Sequence, residues 1–450
     1  MTTRAILLPG KALLLTAVAL GSVLGLAAGQ PPGAQPPGPS PVQSPYPGPE
    51  KPDLWLLAGQ SNMAGYGFVK QAPQPDPQIR FFASNKTWVV GQEPSSSLFY
   101  PHGNPQGMRP DATRSTARGT GPALFFARYL RKYVDRPIGV IGVATGRSLP
   151  KVWDPDLRDK ARTFSYSHMV QWIKQAGGYG NLKGMVWYQG ESDAQEFPSD
   201  SQHYEQNLAK LVDRLRRDTG NPELPVIVVQ ICRVVTNVLP GLPGKSGGGE
   251  EMADAFATYS RAWEAVREAQ RRFAAQGHHV YLVSAADLYP MSDPIHLDFE
   301  AFQRLGPRIG EVALSQVYQL PGHATPIALE SLELTDTLDD STHQPIRERS
   351  TIRVRFRGVN GRLHAQGNPS GFELRFPGIS PERARASVPV IYRVDFDPAD
   401  PAVVLLRTTG GIVPNLNTHL VYGGGTNPAC NIADDRDIPL PAFGPLRVPG

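Results

Sequence analysis

The sequence predicts an α/β domain over residues 53–320 and a β-rich domain over residues 325–450. Three observations support this prediction. At 450 residues, the chain exceeds the ~100–200 residues of one typical domain. Short apolar segments alternate with helix-length segments up to about residue 319, as in a parallel sheet covered by helices on both faces. Beyond His323 the helical period disappears, and short alternating segments are separated by Gly and Pro.

The N-terminus has the layout of a secretory signal peptide at residues 1–29. Arg4 and Lys11 precede an apolar run at 12–28, and small residues at 27–29 offer a cleavage site. A retained membrane anchor is the alternative, but the run is shorter than the ~20 residues needed to cross a bilayer. We therefore expect a secreted or periplasmic (extracytoplasmic) protein with no membrane insertion after signal cleavage. Residues 30–52 are rich in Pro and Gly, which predicts a stiff, extended linker.

Strands and helices follow each other along the α/β domain. Strands are predicted where apolar residues form short runs, at 54–58, 138–144, 184–188, 225–231 and 280–284. Helices are predicted in the helix-length segments between and after these runs, at 121–134, 169–175, 204–218, 253–275 and 298–318. Because a helix separates successive strands, the strands should run parallel. Ligands of such sheets bind beyond the carboxyl ends of the strands.

The C-terminal region is predicted to be an all-β module of sandwich size. Its strand-like segments are 351–357, 371–376, 388–396 and 403–408. Cys232 belongs to the α/β domain and Cys430 to the β-rich domain. One disulfide and two free buried thiols are both compatible with this count, whereas a disulfide scaffold and a Cys-based zinc site are not.

The charge balance argues against several classes of partner. The chain has 45 basic and 41 acidic residues, a net charge of +4. So weak a bias over this length does not favour nucleic acid or an anionic surface. The His residues show no ligand spacing, so we expect no metal site and no cofactor.

A serine follows the first predicted strand, in the segment GQSNM at residues 59–63. Ser61 can expose its hydroxyl at this turn while the following helix presents backbone N–H groups to an oxyanion. The alternative is that Ser61 is only a helix N-cap, a position that Ser favours. This segment alone does not decide between a nucleophile and a cap.

Two more polar clusters follow later strands. The segment GMVWYQGESDA at 184–194 ends a strand with Gln189 and Glu191, which would otherwise be polar caps of a loop. The segment DPIHLD at 293–298 places Asp293 three residues before His296. A carboxylate at this spacing can accept from one imidazole nitrogen while the other nitrogen faces a hydroxyl nucleophile. A lone His is more often structural, but three clusters at one sheet edge favour a serine hydrolase site.

These three segments together resemble the SGNH-hydrolase superfamily, and within it the carbohydrate esterases of the sialate O-acetylesterase and acetylxylan esterase type. The resemblance covers roughly residues 53–318. It implies a flavodoxin-like three-layer sandwich with a parallel sheet. It also implies a serine esterase that hydrolyses O-acetyl groups of oligo- or polysaccharides through an acetyl-enzyme intermediate, without a cofactor.

The resemblance also implies roles for individual residues. Ser61 matches the nucleophile and His296 the general base. Asp293 matches the acid that orients His296, and Glu191 resembles a second carboxylate implicated in this type of esterase. We favour Asp293 for its adjacency to His296, and Glu191 stays open as the alternative.

The expected oxyanion donors are the backbone N–H groups of Ser61 and Gly146 and the side chain of Gln189. The family usually has a second Gly after the one matched by Gly146, whereas this chain has Arg147. A cation there would restrict or select substrates. The residues expected to bind substrate are Gln60, Asn62 and Arg147.

Two other classes of function remain open from the sequence. A non-catalytic carbohydrate-binding or surface protein on the same scaffold would have a damaged triad, yet Ser61, His296 and both acids are present. A lipase or thioesterase of the same fold would need a broad apolar acyl groove. Only the analogy to the family favours sugar over lipid.

Overall fold

The computed structural model describes residues 50–449, apart from 72, 84, 100–117, 147–148, 158–164, 178–180, 196–197, 236–248, 290–292, 379–388 and 413–416. The predicted signal peptide at 1–29 and nearly all of the predicted linker at 30–52 lie outside the described residues and stay predictions. Within the described part of the chain, no helix is long and apolar enough to cross a membrane.

A seven-stranded, mostly parallel sheet forms the centre of the α/β region. Its strands are β1 (Asp53–Gly59), β3 (Ile79–Phe82), β4 (Trp88–Val90), β6 (Ile138–Ala144), β7 (Leu182–Tyr188), β8 (Val226–Gln230) and β9 (Val280–Ser284). They lie in the order β4-β3-β6-β1-β7-β8-β9. Only the β3–β4 pair is antiparallel. Two short strands outside this sheet, β2 (Gly67–Phe68) and β5 (Arg118–Thr120), pair with each other.

Helices cover this sheet. They are α1 (Ser61–Ala64), α2 (Pro122–Arg131), α3 (Ser165–Gln175), α4 (Glu191–Gln195), α5 (Tyr204–Thr219), α6 (Gly249–Gln276) and α7 (Phe299–Gln316). Single turns of other helix types occur at Ser96–Phe99, Leu149–Trp153 and Asp200–His203. Every residue of β1 and β6 is buried. Strands buried on both faces explain why the sequence shows continuous apolar runs there instead of alternation.

The strand order has its switch point at β1, where strands are added first on one side of the sheet and then on the other. After β1 the chain first forms β3, β4 and β6 on one side of β1 and then β7, β8 and β9 on the other. Both β6 and β7 pair with β1 in parallel. The carboxyl ends of these three strands therefore meet at the same edge. Ligands of open α/β sheets bind in the crevice at such a switch point.

The C-terminal region contains separate antiparallel sheets. The largest has β10 (Ala328–Leu338), β11 (Pro345–Arg357), β14 (Ile391–Phe396) and β15 (Val403–Thr408) in the order β10-β11-β15-β14. A second sheet has β13 (Phe372–Arg375), β16 (His419–Tyr422) and β18 (Phe443–Arg447), and a pair is formed by β12 (Leu363–Ala365) and β17 (Ile432–Asp434). Their buried apolar side chains form a core separate from that of the α/β region.

Buried arginines join the two regions. Arg308 of α7 donates to the carboxylate of Asp287 at 2.8 Å and to that of Asp437, in the loop before β18, at 2.9 Å. Arg267 of α6 donates to the carbonyl oxygens of Gly423 and Gly425 at 3.1 and 2.7 Å. The antiparallel sheets are thus fixed to the helices through the guanidinium groups of two buried arginines. Cys232 and Cys430 are both buried and free.

Candidate active site

A sharp turn after β1 presents Ser61. Gly59 has a φ of +153°, and a Cβ at this position would lie 1.9 Å from the carbonyl oxygen of Tyr188. The strand therefore ends in a conformation and a close contact that only glycine accepts. Gln60 is the N-cap of α1, and Ser61 is the first helical residue. The Ser61 hydroxyl lies 2.8 Å from Nε2 of His296, so it is not used as a helix cap.

The loop after β9 holds His296 from the other side of its ring. Nδ1 of His296 lies 2.7 Å from Oδ2 of Asp293. The second carboxylate oxygen of Asp293 accepts from the backbone N–H groups of Ile295 and His296 at 3.0 and 2.9 Å. Burial tends to raise the pKa of the Asp293 carboxyl, but the hydrogen bond and charge of His296 and the two backbone donors outweigh it and lower the pKa to about 2. Asp293 is therefore ionised at neutral pH.

Asn62 joins three segments of the site. Its Nδ2 donates to Oε1 of Glu191 at 2.7 Å and to the carbonyl oxygen of Ile295 at 3.2 Å. Its Oδ1 accepts from the backbone N–H of Leu297 at 3.1 Å. Asn62 is fully buried, and these contacts fix the residues on both sides of His296 relative to Ser61. That Asn62 binds substrate stays a prediction.

Glu191 lies at the start of α4, and the contact that its carboxylate makes is with Asn62, not with His296. Burial is the largest influence on its pKa and raises it, although the Asn62 hydrogen bond and the charge of His296 act in the opposite direction. Of the two candidate acids, Asp293 is the one in hydrogen-bond contact with the imidazole.

Gln60 is also buried, with 3% of its surface exposed. Its side-chain oxygen accepts from the backbone N–H groups of Gly190 and Ser192, both at 3.3 Å. The amide oxygen of Gln60 thus ties the turn after β1 to the turn after β7, and that Gln60 binds substrate stays a prediction. Arg147, the third residue predicted to bind substrate, lies outside the described residues.

The residues predicted to donate to an oxyanion lie beside Ser61 in the sheet order. Gly146 follows β6, and a Cβ added at this position would have no heavy atom of another residue within 4 Å in the described part of the chain. Gln189 follows β7, and its Nε2 donates to Oδ2 of Asp193 at 2.5 Å. The other oxygen of Asp193 accepts from the backbone N–H of Leu149 at 3.2 Å. Asp193 thus links the Gln189 side chain to the loop that begins at Gly146.

Asp193 is a buried carboxyl that the sequence did not single out. Burial raises its pKa to about 7, against the hydrogen bonds from Gln189 and Leu149. Asp193 lies inside a segment chosen for other residues, and Asn62 was chosen only as a substrate contact, so the bridging contacts of both left no separate signal in the sequence.

Tyr66 was also missed by the sequence analysis. Its ring stacks on the ring of His296, with centroids 4.2 Å apart and planes at 10°. The only signal for it was its position five residues after Ser61.

A potential metal site lies elsewhere in the described part of the chain. Glu223, His278 and His279 each offer a ligand atom, and these atoms lie within 4.8 Å of one another. Glu223 precedes β8, and the two His residues precede β9. The cluster is thus at the amino ends of strands whose carboxyl ends face Ser61, and it does not belong to this site. The sequence analysis did not find this cluster, because its residues show no ligand spacing in the sequence.

Comparisons with known proteins find similarity to carbohydrate esterases. A family model described as carbohydrate esterase, sialic acid-specific acetylesterase, matches residues 51–315. The probable carbohydrate esterase At4g34215 of Arabidopsis thaliana is 28% identical over 293 residues, which are 61% of this chain and 94% of that protein. The crystal structure of XAC1771, described as a novel carbohydrate acetylesterase from Xanthomonas citri, is similar in fold with a TM-score of 0.57 at 18% identity. That likeness covers 87% of this chain and 80% of the other, so it extends into the C-terminal sheets.

Proposed function

The chain belongs to the sialic acid-specific acetylesterase family of carbohydrate esterases, and we propose that it is a serine esterase that removes O-acetyl groups from carbohydrate through an acetyl-enzyme. The proposal rests on one observation. Ser61 Oγ, the two nitrogens of His296 and the Asp293 carboxylate form a continuous chain with distances of 2.8 and 2.7 Å. A weak hydroxyl nucleophile needs a base within hydrogen-bond reach and an acid behind that base.

In the first half of the proposed reaction, Nε2 of His296 takes the proton of Ser61 while Oγ bonds to the acetyl carbon. The imidazolium then carries a positive charge next to the Asp293 carboxylate. When the tetrahedral intermediate collapses, the bond from the acetyl carbon to the sugar oxygen breaks. The departing oxygen takes the proton from Nε2, which leaves an acetyl group on Ser61 and a free sugar hydroxyl.

In the second half, water replaces the sugar. It gives one proton to Nε2 of His296 and attacks the acetyl carbon. Collapse breaks the bond to Oγ, which regains the proton, and acetate leaves. Base catalysis of this kind contributes ~10²–10⁴-fold to the rate.

We propose that the negative oxygen formed in each half is held by the backbone N–H groups of Ser61 and Gly146 and by the Gln189 amide. Gly146 and Gln189 follow β6 and β7, the two neighbours of β1. The Gln189 amide nitrogen donates to Asp193 at 2.5 Å, a contact that orients the amide. Removing one such donor typically costs ~10²–10³-fold in kcat.

We also propose that the α/β region has the SGNH-hydrolase variant of the flavodoxin-like fold. If the strands that follow β1 with helical crossovers are numbered in chain order, β6, β1, β7, β8 and β9 have the order 2-1-3-4-5. This is the order of flavodoxin-like sheets, which bind ligands at the switch point next to the first strand. The pair β3–β4 extends the sheet beyond β6.

The test is acetate release from a panel of acetylated polysaccharides, including xylan and sialic-acid-containing glycans, by the wild-type protein and by Ser61→Ala. We expect release from at least one polymer by the wild type and less than about one per cent of it by the variant. A Ser61→Ala protein that keeps more than a few per cent of activity on p-nitrophenyl acetate would contradict the assignment. A preference for octanoyl over acetyl esters would instead identify a lipase-type enzyme.

A further inference from the structure

We infer that Tyr66 is a positioning residue of the proposed reaction, whose ring stabilises the imidazolium of His296 after it takes the proton of Ser61. This inference rests on the proposed function. The ring of Tyr66 makes a third contact with His296, across the face of the imidazole. The contacts in the plane of the ring are those of Ser61 at Nε2 and Asp293 at Nδ1.

The contact between the two rings is close and nearly parallel. Their centroids are 4.2 Å apart and their planes differ by 10°. An aromatic face within ~6 Å of a cation attracts it through the ring quadrupole. Neutral imidazole gains little from this attraction, whereas imidazolium gains more. The stack therefore favours the charged state that exists only once Ser61 has been deprotonated.

Two glycines hold the backbone on either side of Tyr66. Gly65 has a φ of +101°, and a Cβ there would lie 2.3 Å from the carbonyl carbon and oxygen of Thr120 in β5. A Cβ on Gly67 would lie 3.0 Å from the carbonyl carbon of Asp298, two residues after His296. The chain around Tyr66 is thus pressed against β5 on one side and against the histidine loop on the other. These contacts fix the backbone that carries the ring of Tyr66.

The other charged groups around His296 are unchanged by a substitution at Tyr66. Asp293 faces Nδ1 from the same loop. Glu191 acts on His296 from α4 through its charge and is held by Asn62. Both are carboxylates, and both keep their partners when the ring of Tyr66 is removed. A change in the pH profile of such a variant therefore reports the loss of the ring.

The experiment compares Tyr66→Phe and Tyr66→Leu with the wild type, using p-nitrophenyl acetate between pH 5 and 9. We expect Tyr66→Phe to stay within about twofold, because the aromatic face remains. We expect Tyr66→Leu to lower the plateau value of kcat by about 3- to 30-fold with little change in KM. Its acidic midpoint in the profile of kcat/KM against pH should move down by about half a unit to one and a half units, because imidazolium is less favoured without the ring.

The control is Tyr133→Leu. Tyr133 also contacts a histidine ring, that of His323, at 4.5 Å between centroids, but outside the site. It should leave both kcat and the midpoint unchanged. If Tyr66→Leu does not fold, a trifluorinated phenylalanine at position 66 takes its place. It keeps the shape of the ring but weakens its attraction for a cation. It should lower kcat and the midpoint, as expected for Tyr66→Leu.

Several results would overturn the inference. A fall in kcat with an unmoved or higher midpoint would mean that Tyr66 only packs against His296. An equal loss in Tyr66→Phe would assign the effect to the hydroxyl group. Failure of the proposed function is a separate result, because it would appear in the wild type or in Ser61→Ala before any Tyr66 variant is measured.

Discussion

Replacing Asp293 with Asn tests which carboxylate orients His296. The substitution keeps the size of the side chain and removes its charge. Oδ2 of Asp293 accepts from Nδ1 of His296 at 2.7 Å, a charge-assisted hydrogen bond. Such a bond contributes about 1.5–3 kcal/mol. At about 1.4 kcal/mol per tenfold change, its loss alone lowers kcat/KM by about 10- to 150-fold.

The hydrogen bonds of the second carboxylate oxygen add to this loss. That oxygen accepts from the backbone N–H groups of Ile295 and His296. An Asn at position 293 would keep its carbonyl oxygen on these two donors and turn its NH₂ group toward Nδ1. Nδ1 must then accept, which moves the imidazole proton to Nε2, the atom that faces Ser61. The base loses its free lone pair, and we expect a total loss of about 10²–10⁴-fold in kcat/KM.

Glu191→Gln should have a much smaller effect. The Glu191 carboxylate accepts from Asn62 at 2.7 Å, and the carbonyl oxygen of Gln can accept the same bond. The charge of Glu191 acts on His296 without a hydrogen bond between them, since the carboxylate contacts Asn62 and not the imidazole. We expect a loss of less than about tenfold in kcat/KM.

The assay is kcat/KM for p-nitrophenyl acetate at pH 8, with thermal unfolding to verify that each variant is folded. Asp298→Asn is the matched control, since Asp298 lies in the same loop but caps α7 by accepting from Ala301 at 3.1 Å. Asn caps helices as well as Asp does, so this variant should stay within about twofold. A folded Asp293→Asn protein that keeps more than a tenth of wild-type kcat/KM, together with a collapse in Glu191→Gln, would refute the reasoning and make Glu191 the orienting acid.

Three further predictions concern stability. Burial raises the pKa of Asp193 to about 7, well above the usual range of an Asp carboxyl, so the folded state binds a proton that the unfolded state has released. The free energy of unfolding should therefore fall as the pH rises from about 4 to 7, by an amount on the order of 4 kcal/mol. Urea titrations at pH 5 and pH 8 measure this fall, and the difference between the two pH values should be smaller for Asp193→Asn than for the wild type. Asn62→Ala leaves the Glu191 carboxylate and a backbone N–H of the histidine loop without their partner. Urea unfolding should show a loss of about 2–4 kcal/mol in the free energy of unfolding, and kcat should fall. An unchanged midpoint of urea unfolding would contradict the bridging role. Arg308→Met removes the buried guanidinium that pairs with the part-buried Asp287, and we expect a loss of about 3–5 kcal/mol in the free energy of unfolding. A neutral effect would mean that water replaces the pair.

The sequence was most informative about the central strands of the sheet. Their apolar runs predicted strands at 138–144 and 280–284 with the bounds that the structure has. The strands Ile79–Phe82 and Trp88–Val90 were not predicted. Four and three residues are too few to show a period, and pairing with a neighbouring strand is what makes them strands.

The contacts that the sequence did not reveal at the site join residues that are distant in the sequence. Gln60 and Asn62 flank Ser61, so the sequence analysis placed them in contact with substrate. Their amide groups are used by backbone and side chains more than 100 positions away, as in the bond from Asn62 to Glu191. No local pattern shows where an amide will find its partner.

The sequence by itself determined which side chains reach the carboxyl edge of the sheet. Ser61, Gln189 and His296 each follow an apolar run, and parallel strands bring such positions to one edge whatever the details of their loops. Only the tertiary structure decided which of them touch. The choice of Asp293 over Glu191 as the partner of His296, and the stacking of Tyr66, depend on turn geometry and close backbone contacts. Hydrogen bonds and ring stacking need distances set to a few tenths of an ångström, which only the packing of all the elements together provides.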